Sequence, residues 1–189
     1  MLCAGRLWKS GRRQHDAGDP LVRHGFGDGT TISAMHLTDA EKLLAALARH
    51  QVNYVLVGAM AMAVHGLVRA TQDIDIVIKS TPEDIAALRQ SLHDVFGPDP
   101  DIDNIREADL AGDYPVLQYV SPDSQFGIDI IARLGERFDY QSLEKETVER
   151  GAVPIQVASL RALLAMKQGS LRPHDQIDAQ AIAARLRKE

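Results

Sequence analysis

The segment "DIDIVI", residues 73–78, constrains the fold more than any other part of this 189-residue chain. In a β-strand its side chains alternate, so Asp73 and Asp75 share one face while the isoleucines fill the other. Two ionised carboxylates at this spacing, about 7 Å apart, repel by roughly 2 kcal/mol at an effective dielectric constant near 20. The strand therefore has one core face and one acidic face, which either meets solvent at a sheet edge or binds a cation.

A third acid, Asp129, lies in the middle of a second strand-like run, "FGIDIIARL". Burying an ionised carboxylate without a partner is so costly that the group would stay protonated, whereas a metal cluster explains the acid directly. Hard oxygen ligands suit Mg²⁺ or Mn²⁺, which complete their coordination with water and substrate phosphates. We therefore predict that Asp73, Asp75 and Asp129 bind Mg²⁺ (or Mn²⁺), with a lone edge-strand acid as the alternative for Asp129.

Small residues follow the strand-like run "NYVLV" and open the helical pattern "AMAMAVHG". The backbone N–H groups of such a turn, at the positive end of a helix dipole, can bind phosphate. Gly58 and Ala59 are therefore a candidate triphosphate site, to which Arg69 and Thr71 would add a cation and a hydroxyl. The alternatives are a simple strand-to-helix turn and an ordinary loop arginine.

The remaining pattern predicts an α/β (α+β) fold, with a small mixed sheet, flanking helices and a short helical C-terminal section. A capping-box pattern at Thr38 predicts the start of the first helix, and Thr81 is the predicted N-cap of a later one. The runs "YPVLQYV" and "FGIDIIARL" predict an antiparallel hairpin, and residues 99–113 an acidic loop. "VPIQV" predicts the last strand, before a helix capped by Ser159 and a terminal helix.

Residues 1–34 differ from the rest of the chain, since they hold six of its fourteen glycines and show no apolar periodicity. We predict a disordered N-terminal extension, followed by one domain over residues 35–189. The net charge of -5 gives no general basic field for nucleic acid, and a single cysteine excludes an internal disulfide. The apolar stretches are too short to indicate a membrane role, so a cytoplasmic location is expected.

Three segments together, "VLVGAMAMAVHGLVRATQDIDIVI", "GIDII" and "VPIQVASLRALLAMKQGSLRPHDQID", resemble the nucleotidyltransferase-fold superfamily. The chain is most similar to the small bacterial AbiEii-type and MenT-type nucleotidyltransferase toxins, from about residue 37 to the C-terminus. Ala59 stands where that family has Ser or Gly, so a phosphate-binding hydroxyl is lost while the backbone N–H remains. The resemblance implies site roles for Gly58, Asp73, Asp75, Asp129, Lys167, Arg172, Asp175 and Asp178.

The resemblance implies metal-dependent transfer of a nucleoside monophosphate from a nucleoside triphosphate to an acceptor hydroxyl, with release of pyrophosphate. Asp73, Asp75 and Asp129 would bind metal, Asp129 would also position or deprotonate the acceptor, and Lys167 would reach the phosphates. The acceptors it allows are a tRNA 3′ end, a protein or a small molecule, and a cognate antitoxin is a candidate partner. Two alternatives stay open: a catalytically weak nucleotidyltransferase-like binding protein of a two-protein module, and a Mg²⁺-dependent phosphohydrolase.

The charged residues near the C-terminus have simpler explanations as well. Lys167 by itself is a solvated helix lysine, and Arg172, Asp175 and Asp178 are charges at a helix N-terminus. His65 is predicted to be a hydrogen-bonded histidine at a helix end and His174 a surface residue, although either could approach a nucleobase. A basic strip that could hold a tRNA end consists of Arg161, Lys167, Arg172, Arg185, Arg187 and Lys188.

Overall fold

The computed structural model describes residues 8–9, 29–71, 73–112, 115–122 and 127–188. The strands are β1 (Trp8–Lys9), β2 (Tyr54–Val57), β3 (Asp73–Ile78), β4 (Val116–Val120), β5 (Gly127–Ile131), β6 (Arg133–Leu134), β7 (Phe138–Asp139), β8 (Lys145–Arg150) and β9 (Val153–Ala158). The helices are α1 (Gly29–Arg49), α2 (Gly58–Val64), α3 (Pro82–Phe96), α4 (Pro100–Asp103), α5 (Leu160–Lys167) and α6 (Pro173–Leu186), with a 3-10 helix at Glu107–Leu110.

The main sheet is mixed and has the strand order β1-β4-β5-β3-β2-β9-β8, while β6 and β7 form a separate two-stranded hairpin. The acid-bearing strands β3 and β5 are parallel neighbours. Strand β2 is antiparallel to β3, and β4 is antiparallel to β5, as the predicted hairpin requires. The structure therefore confirms the predicted fold class, a small mixed sheet flanked by helices.

The isoleucines of β3 anchor the core. Ile74, Ile76 and Ile78 are at most 1% exposed and belong to one buried cluster with the leucines of α1 and α3. A slip of β3 by one residue would turn these side chains to the acidic face and the aspartates into the core. Full burial of each isoleucine stabilises the fold by roughly 1.5–3 kcal/mol, so the register of β3 is strongly determined.

Helix α1 starts earlier than the capping pattern indicates. It begins at Gly29, so Thr38 lies inside the helix and does not cap it. The good helix formers Ala34, Met35 and Leu37 permit this extension. Strand β1 pairs with β4, and residues 1–7 and 10–28 lie outside the described residues. The disorder proposed for residues 1–34 and the single domain over residues 35–189 stay predictions.

Some of the other local predictions are confirmed and others are wrong. The predicted N-caps are confirmed, since Thr81 accepts a hydrogen bond from the Asp84 amide and Ser159 accepts one from the Ala162 amide. The predicted acidic loop instead contains α4, capped by Asp99, and the 3-10 helix. Strand β8 was not predicted because its sequence "KETVER" is polar, as suits a strand at the edge of a sheet.

Candidate active site

The three predicted carboxylates meet where β3 and β5 run side by side. Asp75 and Asp129 are register partners, and Asp73 lies opposite Gly127 two residues earlier on the same strand pair. Paired positions on neighbouring strands carry their side chains on the same face, so the acids form one carboxylate cluster. We use this name below for Asp73, Asp75 and Asp129.

The carboxylate cluster disfavours its own ionisation. Burial raises the pKa of Asp75 to about 6, with further contributions from the charges of Asp129 and Asp73. Burial also raises the pKa of Asp129, partly opposed by a 2.9 Å hydrogen bond that Gln118 Nε2 donates to its Oδ1. A set of oxygen donors that repel one another fits a divalent cation, because the cation turns the repulsion into attraction.

Two glycines make room for these carboxylates. A Cβ at Gly58 would lie 2.0 Å from Asp75 Oδ2, and one at Gly127 would lie 2.1 Å from Asp73 Oδ1. Gly58 also has a φ of +65°, which disfavours other residues. Gly58 is therefore more than a turn residue, and Gly127, which the sequence reasoning missed, is recognisable only by the general association of strand glycines with a close approach.

A second charged group, which we call the charge network, joins α5, α6 and the loop before β3. Lys167 Nζ contacts Asp178 at 2.7 Å and Asp175 at 2.9 Å, and Arg69 Nε lies 3.2 Å from the Asp178 carboxylate. Asp178 is 3% exposed and Lys167 is 8% exposed. Lys167 is thus a buried, paired cation and not a solvated helix lysine, and it does not belong to an exposed basic strip.

The two acids of the charge network differ in environment. Burial alone would raise the pKa of Asp175, but hydrogen bonds from Lys167 and Ser170 hold it below its ordinary value. Asp178 lies between two cations, and its burial leaves it no access to a ligand. The geometry therefore assigns Asp178 to holding Arg69 and Lys167 in place, whereas the sequence grouped it with the nucleotide-binding residues.

A cavity of about 450 Å³ lies between Asp75 and the charge network. Its size falls within the roughly 300–1,000 Å³ of ligand sites. The lining residues that the sequence also singled out are Gly58, Arg69, Asp75, Lys167, Arg172 and Asp175, and the others are Val57, Ile131, Leu134, Gly135, Phe138, Leu163 and Met166. A second cavity of about 350 Å³ has none of the carboxylate cluster in its lining.

Several predicted residues do not reach the cavity. Ala59 is buried, and the Thr71 hydroxyl donates to the Asp73 carbonyl at 3.1 Å, so it supports the start of β3. Asp73 and Asp129 lie outside the lining, Asp129 one strand closer to β4. Asp75 is thus the member of the carboxylate cluster that faces the cavity directly.

Neither of the two candidate histidines lines the cavity. His65 Nε2 is 2.8 Å from the Ala158 carbonyl, as expected of a hydrogen-bonded histidine at a helix end, and His174 is exposed. Within the described residues, no three His, Cys, Asp or Glu side chains stand ready as a preformed metal site. Mg²⁺ commonly uses one or two carboxylates together with substrate phosphates and water, so such a site is not a requirement.

Replacement of Asp178 by asparagine tests the charge network. We expect the free energy of unfolding to fall by about 2 kcal/mol, less than the roughly 3–5 kcal/mol for a fully buried pair, because Lys167 keeps Asp175. Chemical denaturation measures this loss. Asp39→Asn, which removes an exposed pair with Lys42, is the control and should change stability by under about 0.5 kcal/mol. An equal effect of both substitutions would contradict the structural role of Asp178.

The family comparison identifies the family of the chain. The family model described as "Nucleotidyl transferase AbiEii toxin, Type IV TA system" matches residues 40–182. The chain belongs to this family. It is a nucleotidyltransferase, as the resemblance of its motifs predicted, and nucleoside triphosphates are its substrate class.

Solved structures agree at the level of the fold. A Thermotoga maritima protein described as a nucleotidyltransferase has a TM-score of 0.51 and 18% identity, over 82% of this chain and 95% of that one. The antibiotic-resistance factor ANT(2'')-Ia has a TM-score of 0.55 and 15% identity, over 81% and 85% of the two chains. Its complex with adenylyl-2''-tobramycin has a TM-score of 0.51 and 16% identity, over 83% and 90%.

Two further comparisons complete these findings. No sequence among the curated proteins matches this chain. Among the described residues, no helix has both the length and the apolar character needed to cross a bilayer.

Proposed function

We propose that this AbiEii-family protein transfers a nucleoside monophosphate from a nucleoside triphosphate to an acceptor hydroxyl in a reaction that depends on Mg²⁺ or Mn²⁺. The observation that carries the proposal is Asp75, a half-buried carboxylate with a pKa raised to about 6 that lines one cavity with the cationic residues Lys167 and Arg172. Membership of a nucleotidyltransferase family supports the reaction class.

The metal would be held by Asp73, Asp75 and Asp129. When bound, it supplies charge stabilisation at the phosphoryl group that is transferred. In type the donors suit Mg²⁺ or Mn²⁺, because they are carboxylate oxygens only, and burial together with their mutual repulsion raises the pKa of Asp75. Because the three acids are not arranged as a preformed site among the described residues, phosphate and water oxygens would complete the coordination.

The triphosphate would lie against the cationic side of the cavity. Lys167 and Arg172 offset its negative charge, and Asp175 and Asp178 keep Lys167 in position. The amides of the turn at Gly58 add hydrogen bonds, but the missing hydroxyl at Ala59 weakens this contact. These groups act mainly by positioning and by electrostatic stabilisation.

The acceptor would approach Asp129 from the β4 side of the sheet. As its oxygen bonds to the α-phosphorus, its proton passes to the Asp129 carboxylate and the bond from the α-phosphorus to the bridging oxygen breaks, releasing pyrophosphate. Gln118 holds Asp129 through its amide. A raised pKa makes Asp129 a better proton acceptor than an ordinary aspartate.

The acceptor, the antitoxin partner and the cellular location are also part of this proposal. Exposed Arg161, Arg187 and Lys188 support a tRNA 3′ end, while a protein or small-molecule hydroxyl fits the same chemistry. The family description supports a cognate antitoxin. The single cysteine supports a reducing, cytoplasmic location.

Incubation with each α-labelled nucleoside triphosphate, Mg²⁺ or Mn²⁺, and tRNA or cell lysate tests the proposal. Wild-type protein should place label on an acceptor, and Asp75→Ala should not. Glu149→Gln, an exposed position on β8, removes one charge away from the site and should leave transfer unchanged. Transfer that survives in Asp75→Ala would contradict the assigned site.

The same experiment separates the alternatives. Free nucleoside monophosphate without a labelled acceptor would indicate a phosphohydrolase. Intact, bound nucleotide without transfer by the wild type would indicate a binding protein of a two-protein module.

A further inference from the structure

We propose that the apolar wall of the 450 Å³ cavity is a nucleobase slot, in which the base stacks on Phe138 beside Leu134 and Met166. This inference rests on the proposed function, because it assigns the remaining part of the same nucleotide. It adds a binding role for the β6–β7 hairpin, which carries none of the motif residues.

The lining of the cavity combines two chemically different sets of residues. Its charged lining comes from Arg69, Asp75, Lys167, Arg172 and Asp175. The apolar wall consists of five lining residues whose side chains have no hydrogen-bonding N or O atom: Ile131, Leu134, Phe138, Leu163 and Met166. The hairpin and α5 supply four of these five residues: Leu134, Phe138, Leu163 and Met166.

A nucleoside triphosphate has the same division. Its phosphates carry several negative charges, which would lose hydration without compensation on an apolar wall. Its base is flat and aromatic, and base–aromatic stacking stabilises binding without any particular hydrogen-bond pattern. The two ends of the nucleotide therefore match the two sets of lining residues, with the phosphates toward Lys167 and the base toward Phe138.

Phe138 is held in place for such stacking. Its side chain is half-buried and packs against the core. The guanidinium carbon of Arg137 lies 5.4 Å from the ring centroid, a cation–π contact that restrains the ring. An aromatic residue that lines the cavity and has restricted motion loses little further entropy when a base stacks on it.

The lining also predicts weak base selectivity. Discrimination between bases requires hydrogen bonds to their edges, and an apolar pocket separates similar groups poorly. The described side chains of the apolar wall offer stacking and no edge contacts. We therefore expect the affinities for ATP, GTP, CTP and UTP to lie within about tenfold of one another.

Calorimetric titration tests the slot. Wild type, Phe138→Ala and Phe138→Trp are each titrated with the four nucleoside triphosphates and with inorganic triphosphate, all with Mg²⁺. Phe138→Ala should weaken the binding of each nucleotide by about tenfold or more, at least the lower part of the range for loss of one stacked base, and leave the binding of inorganic triphosphate unchanged. Phe138→Trp should retain nucleotide affinity.

Tyr140→Ala is the matched control. Tyr140 lies two residues further along and lines the other cavity, so nucleotide binding should not change. Thermal unfolding of all variants shows whether an affinity change follows a folding defect.

Each other outcome is decisive. Unchanged nucleotide affinity in Phe138→Ala, equal weakening of inorganic triphosphate, or a preference for one base beyond about tenfold would overturn the slot while the proposed function stands. If the wild type binds inorganic triphosphate and binds no nucleotide more tightly than that, the slot fails. If the wild type binds neither inorganic triphosphate nor any nucleotide, the proposed function fails as well.

Discussion

Replacing Asp75 with asparagine is expected to stabilise the protein at neutral pH and to abolish nucleotidyl transfer. The difference between a pKa of about 6 and the ordinary 3.8 corresponds to roughly 3 kcal/mol of penalty on the charged carboxylate. Asparagine has nearly the same shape and no charge, so we expect the free energy of unfolding to rise by about 1–3 kcal/mol without metal. Transfer should fall by at least about a hundredfold, since an electrostatic group of the site is lost.

The pH dependence gives the stability change a sign. The folded state holds the Asp75 proton more tightly than the unfolded state, so between about pH 4 and 6 it binds more protons. Stability from this group is therefore lost as the pH rises through that range, and below about pH 4 the penalty is absent. Wild type should show this slope in EDTA, and Asp75→Asn should show a smaller one.

Mg²⁺ should reverse the order of stability. Binding to the folded carboxylate cluster should raise the melting temperature of the wild type with the logarithm of metal concentration above the Kd, while Asp75→Asn should respond weakly. Glu149→Gln, with the same change in net charge, should behave as wild type. An equal response of wild type and Asp75→Asn to Mg²⁺ would show that Asp75 is not a ligand.

Gly58→Ala is expected to lower both stability and activity. Its Cβ would lie 2.0 Å from Asp75 Oδ2, on a residue with φ of +65°. The backbone conformation costs about 1–2 kcal/mol, and displacement of the carboxylate adds about 1 kcal/mol or more. We expect a total loss of about 2–4 kcal/mol in chemical denaturation, with loss of transfer because Asp75 must move.

Gly151 provides a matched control for the backbone effect. Its φ is +61°, and a Cβ there would have no neighbour within 4 Å. Gly151→Ala should therefore show the backbone cost alone and retain full activity. The difference between the two alanine variants measures the contact with Asp75.

A double variant identifies the cause of that difference. In an Asp75→Ala background, most of the excess cost of Gly58→Ala over Gly151→Ala should disappear, because the carboxylate is gone and only the Cβ of residue 75, at 3.2 Å, remains close. If the full cost of Gly58→Ala remains in this background, Asp75 is not what requires glycine at position 58.

The strands could be predicted better than the polar or distant elements. Buried alternation identified β3 and β5, and local signals identified the caps at Thr81 and Ser159. Strand β8 was not predicted, because an edge strand can be polar on both faces. The start of α1 was misplaced because a capping pattern at Thr38 also occurs inside a longer helix.

The sequence indicated some residues of the candidate site but not others. Gly58, Asp75, Lys167 and Arg172 line one cavity, as the motifs suggested. Thr71 and Ala59 do not, because a hydroxyl bonded to its own strand and a buried methyl cannot reach it. Phe138 had no sequence signal, since an aromatic residue in the short, mostly polar segment "GERFDYQS" is ordinary.

By itself, the sequence determined that Asp73 and Asp75 share one face of a strand. A side-chain period of two allows no other arrangement once Ile74 and Ile76 are buried. Only the tertiary structure decided what those acids face. Asp178 pairs with Arg69 and Lys167, and Phe138 lines the same cavity as Asp75, although these residues belong to separate elements. Such contacts arise from packing between elements, which no local pattern encodes.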